Sequence, residues 1–282
     1  MQPARIAELL APFLDPASGQ RLTTNDLDHI STYIDILLRW NARINLTAIR
    51  DPEQIVTRHF GESFFTAGHL FPRNVRVGAD ALEACPERPR GTRGSRMGPA
   101  ERSSAALPTE STKNRPNAPT AEDYRGRAAL QGRVEGRKEV GALAPEARRV
   151  ADLGSGAGFP GLPIKLWAPH ISLTLIESNH KKVAFLREVC RSLTLTDINI
   201  QNVRAEALTG TTYDVVTLRA VERFHSILPV AARLLSSGGR LALLIGSAQQ
   251  PEAKSLLPDL SWSAPVSIPS SQSRILLVAM RS

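Results

Sequence analysis

The stretch Asp152-Leu153-Gly154-Ser155-Gly156-Ala157-Gly158-Phe159-Pro160-Gly161 decides how this chain is read. It follows the apolar residues Val150 and Ala151 and precedes a helical segment, Pro163 to Ala168, so its glycines occupy a strand-to-helix turn. Glycine lets a backbone turn sharply and approach a ligand closely, and the helix start beyond offers unpaired amide donors. A nucleotide-like ligand is expected. Gly156-x-Gly158-x-x-Gly161 also satisfies the dinucleotide fingerprint, and Glu177 stands where a nicotinamide enzyme would hold its ribose. What separates the two ligands is Asp152 followed by the alternating Gly154, Gly156 and Gly158. S-adenosyl-L-methionine carries an ammonium and a sulfonium, which a carboxylate at the loop entrance complements directly or through water. The same carboxylate would crowd a pyrophosphate. Glu177, ending the second strand, accepts both ribose hydroxyls in either fold and decides nothing by itself.

Downstream, short apolar runs alternate with helical stretches. The runs are Val150 to Leu153, Ile171 to Ile176, Ile198 to Val203, Tyr213 to Leu218, Arg240 to Ile245 and Arg274 to Met280. Crossover helices are expected at Pro163 to Ala168, His180 to Leu193 and Phe224 to Leu235, and Ser237-Gly238-Gly239 supplies a turn into the fifth strand. This alternation predicts an α/β fold with a mostly parallel sheet. Upstream, apolar residues recur at helical steps from Ala4 to Leu14 and from Thr24 to Asn41, where Leu27, Ile30, Ile34, Leu37 and Leu38 mark one face and Thr24 or Asn25 is the expected cap. A third helix starts at Asp51-Pro52 and runs through Ile55, Val56, His59 and Phe60 towards Phe65. Between these zones the chain is crowded with Pro, Gly, Ser, Arg and Glu. It reads as a disordered or loosely ordered insertion with a short helix near Tyr124 to Leu130, or, more sharply, as a loose RNA-binding arm. Three zones result: a helical cap at 1–75, the insertion at 76–148 and the ligand-binding domain at 149–282.

Lys and Arg total 35 against 27 Asp and Glu, a formal charge of +8, which favours an anionic partner such as nucleic acid. Charge alone does not establish one. The two cysteines, Cys85 and Cys190, are far apart and have no metal-ligand spacing, so neither a disulfide framework nor a metal site is expected. No secretory h-region and no run of about 18 apolar residues is present, so a soluble, cytoplasmic protein is expected.

Several stretches together resemble the RsmG (GidB) family. They are Trp40-Asn-Ala-Arg-Ile-Asn-Leu-Thr-Ala-Ile49, Asp51 to Phe60 with its Arg58-His59-Phe60, the glycine loop, Lys181-Lys-Val-Ala-Phe-Leu-Arg187 and Leu218-Arg219-Ala220. The resemblance covers residues 1 to 75 and 149 to 282. It implies a class I, Rossmann-like methyltransferase, with a seven-stranded, mostly parallel sheet under an N-terminal helical cap. The implied activity is methyl transfer from S-adenosylmethionine to N7 of a guanine in the 530 loop of 16S ribosomal RNA, at position 527 in standard rRNA numbering. The implied partner is 16S ribosomal RNA or the small ribosomal subunit; no membrane or metal is expected, and the enzyme would act as a monomer.

The resemblance further implies that Gly154 and Phe159 line the cofactor site, that Ala205 and Glu206 flank the adenine and that Arg219 lies near the methyl donor. Ala205 and Glu206 follow the third strand and Arg219 ends the fourth, where ligands gather at the carboxyl edge of such a sheet. Glu206 alternatively serves a helix start, and Arg219 a surface ion pair. Guanine N7 has an in-plane lone pair and loses no proton on attack, so Arg219 acts by positioning and no general base is expected. Arg43, Arg50, Arg58, Lys181, Lys182 and Arg187 would grip RNA, although Lys181, Lys182 and Arg187 equally suit a solvated helix face. Asn45 and His59 contact the target base, or else Asn45 caps a turn and His59 is buried structure. Three other functions compete with this one: methylation of a protein or small molecule, a nicotinamide-linked oxidoreductase, and a non-catalytic RNA-binding module.

Overall fold

The computed structural model describes residues 1–15, 21–73, 148–219 and 223–282. The zone 76–148, with the short helix expected near Tyr124 to Leu130, lies outside the described residues except for Arg148. Helix α1 (Pro3–Leu10) continues into a 3-10 turn, and α2 spans Thr24–Asn41. A capping box starts α2. Asp26 N–H donates to Thr23 Oγ1 at 3.1 Å, and Thr23 N–H donates to Asp26 Oδ2 at 2.8 Å. The cap is therefore Thr23, not Thr24 or Asn25, because Thr23 holds the extended backbone (φ −77°, ψ 165°) while the other two already lie in the helix. Ile30, Tyr33, Ile34 and Leu37, spaced at helical steps, are buried.

The third helical region starts as its sequence predicts. Gln54 N–H donates to the Asp51 carboxylate at 2.8 Å, with Pro52 in the first turn of α3 (Pro52–Gln54). The helix then widens into a π segment, Ile55–Gly61, before α4 (Glu62–Leu70). Nothing in the apolar spacing signals this widening, which is a common feature of functional sites.

The remaining elements alternate: β1 (Arg149–Leu153), α5 (Gly161–Trp167), β2 (Ser172–Ile176), α6 (His180–Ser192), β3 (Ile198–Gln201), β4 (Tyr213–Arg219), α7 (Phe224–Arg233), β5 (Leu235–Gly246) and α8 (Gln250–Leu256). Three further strands follow, β6 (Ser261–Trp262), β7 (Val266–Ser267) and β8 (Arg274–Met280). The sheet runs β3-β2-β1-β4-β5-β8-β6. Strands β1 to β5 are parallel, and β8 is antiparallel to β5. The order in which strands are added reverses between β1 and β4, which opens a crevice at their carboxyl ends, as in Rossmann-like sheets. Eight strands are present among the described residues against the seven expected. The outer edge of β8 is shared by two fragments, β6 at Met280 and Ala279 and β7 at Leu276 and Ile275.

Ser237-Gly238-Gly239 does not precede β5 but bulges within it. Leu235 pairs with Tyr213 and Arg240 with Val215, so four residues of β5 lie opposite one of β4. The cap helices share one apolar core with α5, α6 and one face of the sheet, and Tyr33, Phe60, Phe64, Phe159, Trp167 and Phe185 fill it. Helices α7 and α8 cover the other face through Leu228, Ala231 and Ala253. A shared core holds the cap in fixed relation to the carboxyl edge.

Candidate active site

A cleft of about 380 Å³ opens at that edge. Its walls come from the ends of four strands: Leu153 and Gly154 after β1, Glu177 after β2, Ala205 and Glu206 after β3, and Arg219 closing β4. The volume lies within the roughly 300–1,000 Å³ typical of small-molecule sites. A larger space of about 710 Å³ lies at the amino end of β1, beside Arg73 and Arg148, away from these strand ends. The strand-end cleft is the candidate because it gathers the loop, the carboxylate and the arginine together.

The glycine loop is held from below and from both sides. Gly154 adopts φ +66°, and a side chain added there would meet nothing within 4 Å, so its exposed face borders open cleft. Gly158 is needed for the opposite reason. At φ +83° an added Cβ would lie 2.3 Å from the Tyr33 hydroxyl, where α2 presses on the loop. That hydroxyl donates to the Ala157 carbonyl at 2.5 Å, and the Tyr33 ring stacks on Phe159 with centroids 5.3 Å apart. Burial pushes the Tyr33 hydroxyl well above its usual pKa, which keeps it a donor.

Asp152, expected at the loop entrance, lies beneath the loop. It is 1% exposed, accepts from Thr217 Oγ1 at 2.7 Å and takes a longer bond from Gly161 N–H at 3.3 Å. Its oxygens tie β1 to β4 and to the first turn of α5, so it reaches the cleft only through the loop's shape. Burial raises its pKa to about 6 against the lowering effect of these bonds. Phe159 is likewise drawn inward, between Tyr33 and the His59 ring, which stacks on it at 4.8 Å. It forms the floor joining cap and loop, not a wall of the cleft.

Glu177 faces the cleft. One oxygen accepts from Gly156 N–H at 2.9 Å and the other from Asn179 N–H at 2.7 Å. A carboxylate offers about four lone-pair directions, so about two remain for a ligand's hydroxyl groups. Asn202, which the sequence reading passed over, donates to the carbonyls of Glu177 and Ser178 at 3.0 and 2.9 Å and fixes this turn. Ala205 is buried and Glu206 exposed on the facing wall. Arg219 borders the cleft with 9% of its side chain exposed. Its Nη2 donates to the Arg58 carbonyl and to His59 Nδ1 and lies 3.2 Å from Glu62 Oε2.

His59 is fully engaged. A guanidinium only donates, so His59 Nδ1 accepts, the proton resides on Nε2, and Nε2–H donates to Thr47 Oγ1 at 2.8 Å. Burial, reinforced by Arg219, Arg58 and Arg274, pushes its pKa down to about 3. Asn45 is exposed, and the turn is closed instead by Asn41, whose Oδ1 accepts from Leu46 and Thr47 N–H. The segment repeats Asn at both positions, and only the folded return of the chain distinguishes them. Arg43, Arg50, Lys181 and Arg187 are exposed, Lys182 borders the cleft, and Arg58 is paired with Glu62 at 3.1 Å. Arg204 and Arg223, absent from the sequence reading, also border the cleft.

A family model described as rRNA small subunit methyltransferase G matches residues 26–79 and 139–274. Ribosomal RNA small subunit methyltransferase G of Xylella fastidiosa (strain 9a5c) is 30% identical over 252 residues, spanning 88% of this chain and 84% of its own. The protein of that name from Mycoplasma capricolum is 43% identical over 111 residues, 39% of this chain and 48% of its own. Among solved structures, a SAM dependent methyltransferase from Aquifex aeolicus is 17% identical with a TM-score of 0.42, covering 49% of this chain and 75% of that one. That likeness is too slight to argue from, and the fold rests on the strand order above.

Proposed function

Because the chain belongs to the rRNA small subunit methyltransferase G family, we propose that it methylates N7 of a guanine in the 530 loop of 16S ribosomal RNA. It is a class I methyltransferase that uses S-adenosylmethionine to modify ribosomal RNA. The cleft suits that donor on its own geometry: an open glycine backbone at Gly154, free acceptor directions on Glu177 and the small buried side chain of Ala205 beside it. When bound, S-adenosylmethionine supplies an electrophilic methyl group on a sulfonium. Gly154 admits it close to the backbone, Glu177 accepts from ribose hydroxyls, and Ala205 and Glu206 flank the adenine.

The engagement of His59, Glu177 and Asp152 at this edge supports N7 as the target. His59 has both ring nitrogens committed and a pKa near 3, Glu177 already accepts two backbone bonds, and Asp152 is sealed beneath the loop. None of these three described residues is placed to take a proton from the incoming base. An atom that attacks with a ready in-plane lone pair needs no such acceptor, and guanine N7 is one. Acceleration then comes from holding the base and the methyl in line, the role assigned to Arg219. Lys182, Arg204 and Arg223 rim the cleft, and Arg43, Arg50, Lys181 and Arg187 are exposed to meet phosphates.

The reading is tested by offering methyl-labelled donor with small ribosomal subunits that lack the modification, then separating RNA from protein. Label should enter RNA with wild-type protein, and Gly154→Trp, which fills the open face of the loop, should abolish transfer while the protein stays folded at the assay temperature, its Tm lowered by the strain of a side chain at φ +66°. Label confined to protein, or undiminished transfer by Gly154→Trp, would overturn the assignment.

A further inference from the structure

Arg219 is not held by its own strand. Three residues of the cap region meet its Nη2, and the most deeply buried is Glu62, with 1% of its side chain exposed. Glu62 stands at the first residue of α4, where the π segment ends, so the widened turn carries it inward. There it collects three guanidinium groups from three parts of the fold. Arg58 Nε donates to Oε1 at 3.1 Å, Arg219 Nη2 approaches Oε2 at 3.2 Å, and Arg274 Nε, from the start of β8, lies 3.1 Å from the same oxygen. Neither the Arg219 nor the Arg274 contact with Oε2 is aligned for a hydrogen bond, so both attractions are chiefly ionic.

We infer that Glu62, with Arg274 sharing its charge, is a positioning residue for methyl transfer, clamping one edge of Arg219 to the cap and turning the other towards the cleft. The charges facing Arg219 are Arg58 and His59 from the π segment, Glu62 from α4, Asp152 from β1 and Arg274 from β8. His59 is neutral, and Asp152 lies behind the loop. Glu62 is therefore the one anion in ion-pair contact with Arg219 among the described residues, set against two further arginines. Burial already disfavours the Arg219 cation, and Glu62 opposes that effect. Without the carboxylate, Arg58, Arg219 and Arg274 repel one another, and the guanidinium at the cleft loses its fixed direction.

The inference rests on the reading of the cleft as the methyl-donor site. Its test is a double-mutant cycle between Glu62→Gln and Arg219→Met, scored by labelled-methyl transfer to RNA and by calorimetric affinity for S-adenosylhomocysteine. Each single change should lower kcat/KM by about tenfold or more with the same division between kcat and KM. The double variant should be no worse than Arg219→Met alone, because Glu62 acts through Arg219. Glu62→Asp should recover activity to within about threefold of wild type. Should Glu62→Gln fail to fold with its cations unpaired, Glu62→Gln combined with Arg274→Met removes one cation with the anion, and it should fold, melting below wild type but above Glu62→Gln, yet keep the Arg219→Met kinetics. Multiplicative losses in the cycle, or wild-type kinetics in the Glu62/Arg274 double variant, would overturn the inference alone. A wild-type protein that transfers nothing to RNA would overturn the functional reading beneath it.

Discussion

Asp152 shows how burial changes what a residue does. On sequence it is an acid at a loop entrance; in the fold it is sealed against Thr217 and Gly161, with its pKa raised from 3.8 to about 6. A carboxyl whose folded pKa exceeds its unfolded value takes up a proton on folding, so its contribution is intact below about pH 4 and is lost as pH rises through about 6. Asp152→Asn keeps both partners if the Thr217 hydroxyl turns to accept. Measured by denaturant unfolding, wild-type stability relative to Asp152→Asn should fall by on the order of 3 kcal/mol between about pH 4 and pH 7. A difference that does not change with pH would contradict the buried, ionisable role. His59 runs the other way, since its contribution is present above about 6.5 and lost on acidification, but it is common to both proteins and cancels.

The same scale shows which site residues a sequence can reveal. That Gly154, Glu177, Ala205 and Arg219 gather at one cleft is legible because each stands at or just after a strand end in an α/β pattern, and strand ends converge by topology. The burial of Glu62 and Arg274 is not. A glutamate in a helix and an arginine at a strand start ordinarily face water, and only the meeting of α4, β4 and β8 buries them. The side of the loop on which Asp152 lies is not legible, because a strand-end side chain can point either way until Thr217 and Gly161 claim it.

At the scale of elements, α2 carries more of the site than its amphipathic pattern suggests. Tyr33 reads as one more core position, yet its hydroxyl supports the Ala157 carbonyl and its ring packs Phe159 against His59. Tyr33→Phe retains the ring and removes a buried donor. It should cost about 1–3 kcal/mol of stability by denaturant unfolding and weaken S-adenosylhomocysteine binding as the loop loosens. Unchanged stability and affinity would show that the helix does not brace the loop. Long periodic helices and five-residue strands were visible in the sequence because their patterns repeat. The fragments β6 and β7, two residues each, are too short to carry a pattern, and the bulge at Ser237-Gly238-Gly239 looks locally like a turn.

Across the whole molecule, a helical cap and a doubly wound sheet meet through one aromatic core, which fixes the cap's Arg58, His59 and Glu62 over the strand that ends in Arg219. The cap thereby holds the arginine that borders the cleft. Among the described residues no helix is long and apolar enough to cross a membrane. The formal charge of +8 suits a polyanionic substrate. The account depends on the identity of the methylated atom. Small subunits from cells lacking the modification, incubated with this protein and tritiated donor and then digested to nucleosides, should carry label on N7 of a single guanine in the 530 loop. Label on an exocyclic amine, a ring carbon or a ribose, or at another position in the RNA, would contradict the proposed transfer to guanine N7.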